Sequence, residues 1–142
     1  MMTLNAIRLE TDWFYHFARN KKINLSAPTI DETGWIPLPE ISDWAVTNAV
    51  QSGADWFRRR LIIRSTNVCV RYVLHIEHIP ENVEIYLNGR FVGSSRGTRH
   101  FKVDVTDFVF LGANLLAMKL TCETNTAGGG FGLIRLQPIE CD

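Results

Sequence analysis

Between residues 83 and 93 apolar and polar side chains alternate, with Val83, Ile85 and Leu87 set against Glu84, Tyr86 and Asn88. A period of two marks a strand with one buried face. Asn88-Gly89 interrupts it with the dipeptide best suited to a type I′ turn, which needs positive φ at both central residues. Residues 90–92 return as a second strand, so the stretch predicts a hairpin. The same alternation recurs at 69–77, where Val70, Tyr72, Leu74 and Ile76 share a face opposite Arg71, His75 and Glu77. It recurs again at 101–105 (Phe101, Val103, Val105), and 55–64, 114–122 and 131–139 read as further strands. An aromatic run at 13–18 reads as a first strand, with 23–25 as a short return. Pro37 and Pro39 confine their segment to an edge, because proline cannot donate to a central ladder. Residues 43–48 fit either a short helical turn or a strand. Some eight to ten short strands with turn signals every 8–12 residues, and no long helical period, predict an all-β sandwich of antiparallel strands.

The pattern also places charges. In the 55–64 strand Phe57, Leu61 and Ile63 share a face with Arg59, so an inward Arg59 needs a carboxylate partner. Asp104 and Asp107, at the end of the 101–105 strand, are the candidates.

Composition narrows the class. The 142 residues form a single domain, 46% hydrophobic, with 15 basic and 15 acidic residues that cancel. That length allows roughly 68–70% of the unfolded chain's surface to be buried. Zero net charge makes no electrostatic case for nucleic acid or an anionic membrane, and does little to keep copies apart, so a homo-oligomer is among the expectations. The N-terminal residues show no basic region followed by an apolar one, and no apolar stretch is long enough to span a bilayer. The expected location is cytoplasmic. Three cysteines, Cys69, Cys122 and Cys141, show no C-x-x-C spacing and imply neither a zinc site nor a disulfide framework. Cys69 and Cys122 fall in predicted strands and read as buried thiols.

Catalytic signals are absent. His75-Ile76-Glu77 has the H-x-E of zinc deaminases but lacks the following P-C-x-x-C and sits in a strand. His75 and His78 differ by an odd number and face opposite ways. No glycine run precedes a helical pattern, so no phosphate loop is supported. No metal ligand set and no cofactor are expected. Trp13, Trp35 and Trp56 read as packing residues.

Taken together, the order of several short motifs resembles a known family. Trp35 with Pro37 and Pro39, the run Asp55-Trp56-Phe57-Arg58-Arg59, the hairpin Asn88-Gly89 with Val92-Gly93, Phe101 with Asp104, Thr106 and Asp107, and Gly112 with Asn114 follow one another through nearly the whole chain. The glycines from Gly128 close the series. This series resembles the jelly-roll "sugar-binding" domain, galactose-binding-domain-like, at the N-terminus of family-2 glycoside hydrolases, the β-galactosidase and β-glucuronidase group. In that family an immunoglobulin-like domain and a catalytic (β/α)8 barrel follow, whereas this chain stops at Asp142.

The resemblance implies a non-catalytic, carbohydrate-binding-like module, since glycoside hydrolysis needs two carboxylates that the family carries on its barrel. By position the loops at 47–55 and 123–131 approach the active site in the family. They offer Asn48, Asp55, Glu123, Asn125 and Phe131, with Trp44 nearby, and Arg96 in the polar loop 94–99 is a further candidate. Aromatic faces and planar polar groups are what a saccharide requires. Arg59, Asn88, Gly89, Asp104 and Asp107 are expected to be structural. Two alternatives stand beside this: a structural or assembly module that docks on a partner protein, and a split piece of a glycosidase that works only with its barrel.

Overall fold

Alternating sequence becomes strand wherever an inner face can be buried. A computed structural model describes residues 4–44, 53–80, 82–95, 99–122 and 130–141. Ten strands occur among them: β1 (Ile7–Arg8), β2 (Thr11–Ala18), β3 (Ile36–Glu40), β4 (Gly53–Ile63), β5 (Val70–Ile76), β6 (Val83–Leu87), β7 (Arg90–Ser94), β8 (Phe101–Asp104), β9 (Gly112–Cys122) and β10 (Ile134–Glu140). They form a four-stranded sheet, β1-β10-β5-β8, and a six-stranded sheet, β3-β2-β4-β9-β6-β7. Every adjacent pair is antiparallel. The two sheets pack as a sandwich.

The expected inward residues meet between the sheets. Trp13, Phe57, Leu61 and Ile63 join Val83, Ile85, Leu116 and Met118 from one side and Tyr72, Leu74, Ile76, Ile134 and Leu136 from the other. β4 and β9, each 11 residues long, pair along their full length and form the spine of the larger sheet. The indole of Trp13 donates to the carbonyl of Leu9 at 2.7 Å, so its one polar group is satisfied inside the core.

The hairpin forms as expected, with φ of 54° at Asn88 and 83° at Gly89. Asn88 also leaves the turn to bind β9. Its Nδ2 donates to Asn114 Oδ1 and to the Phe108 carbonyl, while its Oδ1 accepts from the amide of Leu115, all at 2.9 Å. Asn114 in turn satisfies Phe110 and Gly112 main-chain groups. Asp104 and Asp107 also serve structure. Asp104 accepts from Arg71 at 2.6 Å and from the amide and hydroxyl of Thr106, whose hydroxyl accepts from the amide of Tyr72. The Asp107 carbonyl accepts from Arg90.

The ion pair expected for Arg59 is different. Its Nε donates to the Thr11 carbonyl at 2.8 Å, and Asp12 lies 3.9 Å away. Asp104 instead pairs with Arg71. Arg59 does share the core-facing side of β4, but at the β2 edge of the interface, where main-chain oxygens and an exposed carboxylate reach it first. The fully buried arginine is its neighbour Arg58, on the opposite face.

That outer face is covered by the connection 19–35. Trp35 and Trp56 pack there with Ala18, Ala54 and Ala117, against Leu25, Ile30 and Tyr86, so these two tryptophans lie outside the inter-sheet core. Arg58 anchors the cover, donating to Glu32 (2.8 Å) and to the carbonyls of Leu25 (2.7 Å) and Ala27 (2.8 Å). Burial raises the Glu32 pKa, but hydrogen bonds from Arg58 and Arg60 outweigh it and hold the carboxyl below its usual range. The short strand expected at 23–25 does not form. Asn20, Asn24 and Asp31 each accept a main-chain amide two residues on, and these local turns replace a ladder.

The cysteine expectation is also corrected. Cys69 and Cys141 form a disulfide with Cα atoms 5.4 Å apart. The β5–β10 register, which ends with Glu140 opposite Val70, brings them together, and the Cys141 amide donates to the Cys69 carbonyl. Cys69 is exposed and not a buried thiol. The Cys122 side chain lies outside the described residues.

Candidate functional site

At one end of the sandwich β2 finishes, β4 begins and β9 finishes, and the side chains of Trp44 and Phe131 pack there against Phe57 of β4. Odd positions of β4 face inward, which sends Asp55 and Phe57 toward this end of the core. In β2 the register Tyr15↔Phe57 sets Tyr15 alongside. The Trp44 ring meets Phe57 edge-on at 5.0 Å, and lies 6.1 Å from Phe131 and 6.5 Å from Tyr15. Phe57 and Phe131 are 5.1 Å apart, also edge-on. Each separation falls within the range for favourable aromatic pairs. Gly130 makes this approach feasible, because a Cβ there would stand 2.7 Å from the Trp44 carbonyl.

One carboxylate sits among these rings. Asp55 is 6% exposed, and its Oδ1 accepts a hydrogen bond from the Tyr15 hydroxyl. Trp44 and Tyr15 are half-buried, whereas Phe57 and Phe131 are buried. The arrangement therefore presents an aromatic edge and face, one hydroxyl and one carboxylate oxygen pair.

Of the residues singled out from sequence, Trp44, Asp55 and Phe131 come together here. Asn48, Arg96, Glu123 and Asn125 lie outside the described residues. Tyr15 and Phe57 were not anticipated as members. The signal was present, since strand parity alone puts Phe57 on the face of Asp55, but the β2–β4 register that delivers Tyr15 is a tertiary fact. Among the described residues no three His, Cys, Asp or Glu side chains are grouped to hold a metal ion.

A second polar surface lies on the outside of the four-stranded sheet. Arg8, Arg135, His75 and Lys102 stand opposite one another across β1, β10, β5 and β8. Arg135 donates to His75 Nδ1 at 2.8 Å and pairs with Glu77 at 3.3 Å, while Arg8 pairs with Glu10. Desolvation first, and then Arg135, lower the His75 pKa. Glu10 and Glu77 thus offset the two arginines of the row.

No family model and no curated protein matches the chain. Solved structures do. A β-glycosidase from Bacteroides vulgatus superposes with a TM-score of 0.80 at 20% identity, over 96% of this chain and 20% of that one. A β-glucuronidase from Bacteroides uniformis gives 0.78 at 18% identity, over 97% and 18%. A glycosyl hydrolase family 2 member from Bacteroides cellulosilyticus gives 0.76 at 20% identity, over 96% and 21%. The chain thus spans about a fifth of the length of these enzymes, and no (β/α)8 barrel is found among its described residues. Its fold is that of a two-sheet β domain that glycosyl hydrolase family 2 enzymes carry as a small part of their length.

Proposed function

We propose that this chain is a non-catalytic carbohydrate-binding module of the kind that accompanies a family-2 glycosidase, with its ligand surface at the Trp44 end of the sandwich. The observation that carries the reading is the meeting of half-buried Trp44 and Tyr15 with the Asp55 carboxylate. An aromatic ring can cover the apolar C–H patch of a sugar while the polar pair reaches its hydroxyls. The likeness to glycosidase structures over nearly the whole chain supports the saccharide class. Fold alone does not carry function, so the test is direct. A ¹⁵N-labelled sample is titrated with galactosides, glucuronides, mannosides and short oligosaccharides. The expected result is saturable shifts at the Trp44 indole and at the amides of Tyr15 and Asp55, abolished by Trp44→Ala. Absence of shifts with every sugar would overturn the reading.

One observation favours a second reading, assembly with a partner. Phe110 and Leu111 are 61% and 68% exposed, and Ile62 is exposed on the adjacent strand, at the end of β4 away from Trp44. Light scattering of the wild type and of Leu111→Ser separates the two readings. A larger species lost in the variant supports assembly. The Cys69–Cys141 bond also favours an oxidising compartment as the place of work over the cytoplasm.

A further inference from the structure

The covered outer face of the six-stranded sheet contains two hydrogen-bond donors with nothing to donate to. Trp56 and Arg58 are both fully buried, and Trp56 Nε1 and Arg58 Nη2 have no hydrogen-bond partner. The remaining guanidinium nitrogens of Arg58 are occupied, Nε by Glu32 and Nη1 by the carbonyls of Leu25 and Ala27. The orphaned Nη2 is therefore not a sign of a loosely placed side chain. A buried donor left unsatisfied costs about 1–3 kcal/mol, and more when it is charged. Two such donors on one face of a strand would be a heavy penalty in a domain of ordinary stability.

Their positions suggest one remedy for both. Residues 56 and 58 lie on the same face of β4 with their backbones roughly 6.5–7 Å apart, so both side chains rise beneath the same cover. A single acceptor making two hydrogen bonds of about 3 Å each joins donors up to about 6 Å apart. The surroundings also suit an acceptor. Arg58 Cζ lies 5.6 Å from the Trp35 ring centroid, and Lys119 Nζ lies 5.8 Å from that of Trp56. Glu32 is shared by Arg58 and Arg60, and Glu84 stands 3.9 Å from Lys119, so cations exceed carboxylates around the two tryptophans.

We propose that Trp56 Nε1 and Arg58 Nη2 together hold one small hydrogen-bond acceptor, a water molecule or a halide ion, sealed beneath the 19–35 cover. This site is independent of any saccharide at the Trp44 end. It links the cover to the sheet through the same arginine that already binds Leu25, Ala27 and Glu32.

The test is a crystal structure of the intact chain grown in sodium bromide, with data collected at the bromine edge. An anomalous peak within hydrogen-bond distance of both nitrogens identifies a halide. Ordinary density at that position without anomalous signal identifies water. Either supports the proposal. If the two nitrogens instead reach protein acceptors or aromatic faces, or no density lies between them, it is overturned. In solution, the water form predicts a cross-peak between the Trp56 indole proton and long-lived water, whereas the halide form predicts a shift of that proton between chloride and halide-free sulfate buffers. A Trp56 indole signal with neither response overturns the proposal even if crystals fail. Trp56→Phe removes one donor and should abolish the bridging peak.

Discussion

Arg58→Met is the sharpest perturbation of this fold. The side chain is fully buried and makes three hydrogen bonds, to the Glu32 carboxylate and to the carbonyls of Leu25 and Ala27. Methionine fills much of the volume but donates nothing. Glu32 keeps Arg60 as a partner, but Arg60 is half exposed and holds it weakly. The Leu25 carbonyl loses its Arg58 donor beneath the cover, while that of Ala27 keeps the amide of Ile30. Breaking a buried pair from one side costs about 3–5 kcal/mol. At roughly 3–4 °C per kcal/mol for a domain of this size, the melting temperature should drop by about 9–20 °C. Urea unfolding measures the free energy, and hydrogen exchange locates it. The amides of Ile30 and Trp35, bonded to Ala27 and Glu32 within the cover, should lose protection before the β4–β9 pair does. Arg59→Met is the internal control. It loses a bond to the Thr11 carbonyl near solvent and a 3.9 Å approach to Asp12, worth about 1 kcal/mol. A cost for Arg58→Met under 1 kcal/mol, or one smaller than that of Arg59→Met, would refute the assignment of Arg58 as the anchor.

Hydrogen bonding from Arg71, opposed by burial and reinforced by Thr106, lowers the Asp104 carboxyl from 3.8 to about 2. Its contribution is complete above pH 3.8 and drains as the pH falls toward 2. With the side chain 40% exposed, solvent screening leaves roughly 1 kcal/mol, so Asp104→Asn should cost that at pH 7 and much less at pH 2 in urea titrations. A loss of equal size at both pH values would show that the carboxylate charge is not responsible. Replacing Asn88-Gly89 by Ala-Ala forces two positive-φ residues and removes the side-chain links to Phe108, Asn114 and Leu115, so calorimetry should record a loss of about 2–4 kcal/mol. A neutral result would mean that the turn is not built this way. The Cys69–Cys141 bond closes a separation of 72 residues, which the chain-entropy account values at roughly 4 kcal/mol. Cys141→Ser should therefore melt lower than the oxidised wild type and match the wild type in reductant. Identical melting in all three would remove the disulfide from the account.

Local sequence decided a great deal here. Period-two alternation set which residues of β5, β6 and β8 face the core, because a strand's side chains must alternate whatever it pairs with. The Asn88-Gly89 turn followed from backbone sterics alone. Motif order was enough to suggest a glycosidase-type jelly roll, and a common fold is what the superpositions report. Other features depended on partners far away in the chain. Alternation could show that Arg58 and Arg59 face opposite ways, but not that Arg58, on the outer face, would be the better buried of the two, because the 19–35 cover had no strand or helix pattern to announce it. Cys69 and Cys141 are joined only because β5 and β10 pair in one register, and a shift of two residues would part them. Tyr15 reaches Asp55 for the same reason, through the β2–β4 register. Alternation is a property of one strand. Register, the covering of a face and the meeting of side chains belong to pairs of segments, so only the tertiary structure could decide them.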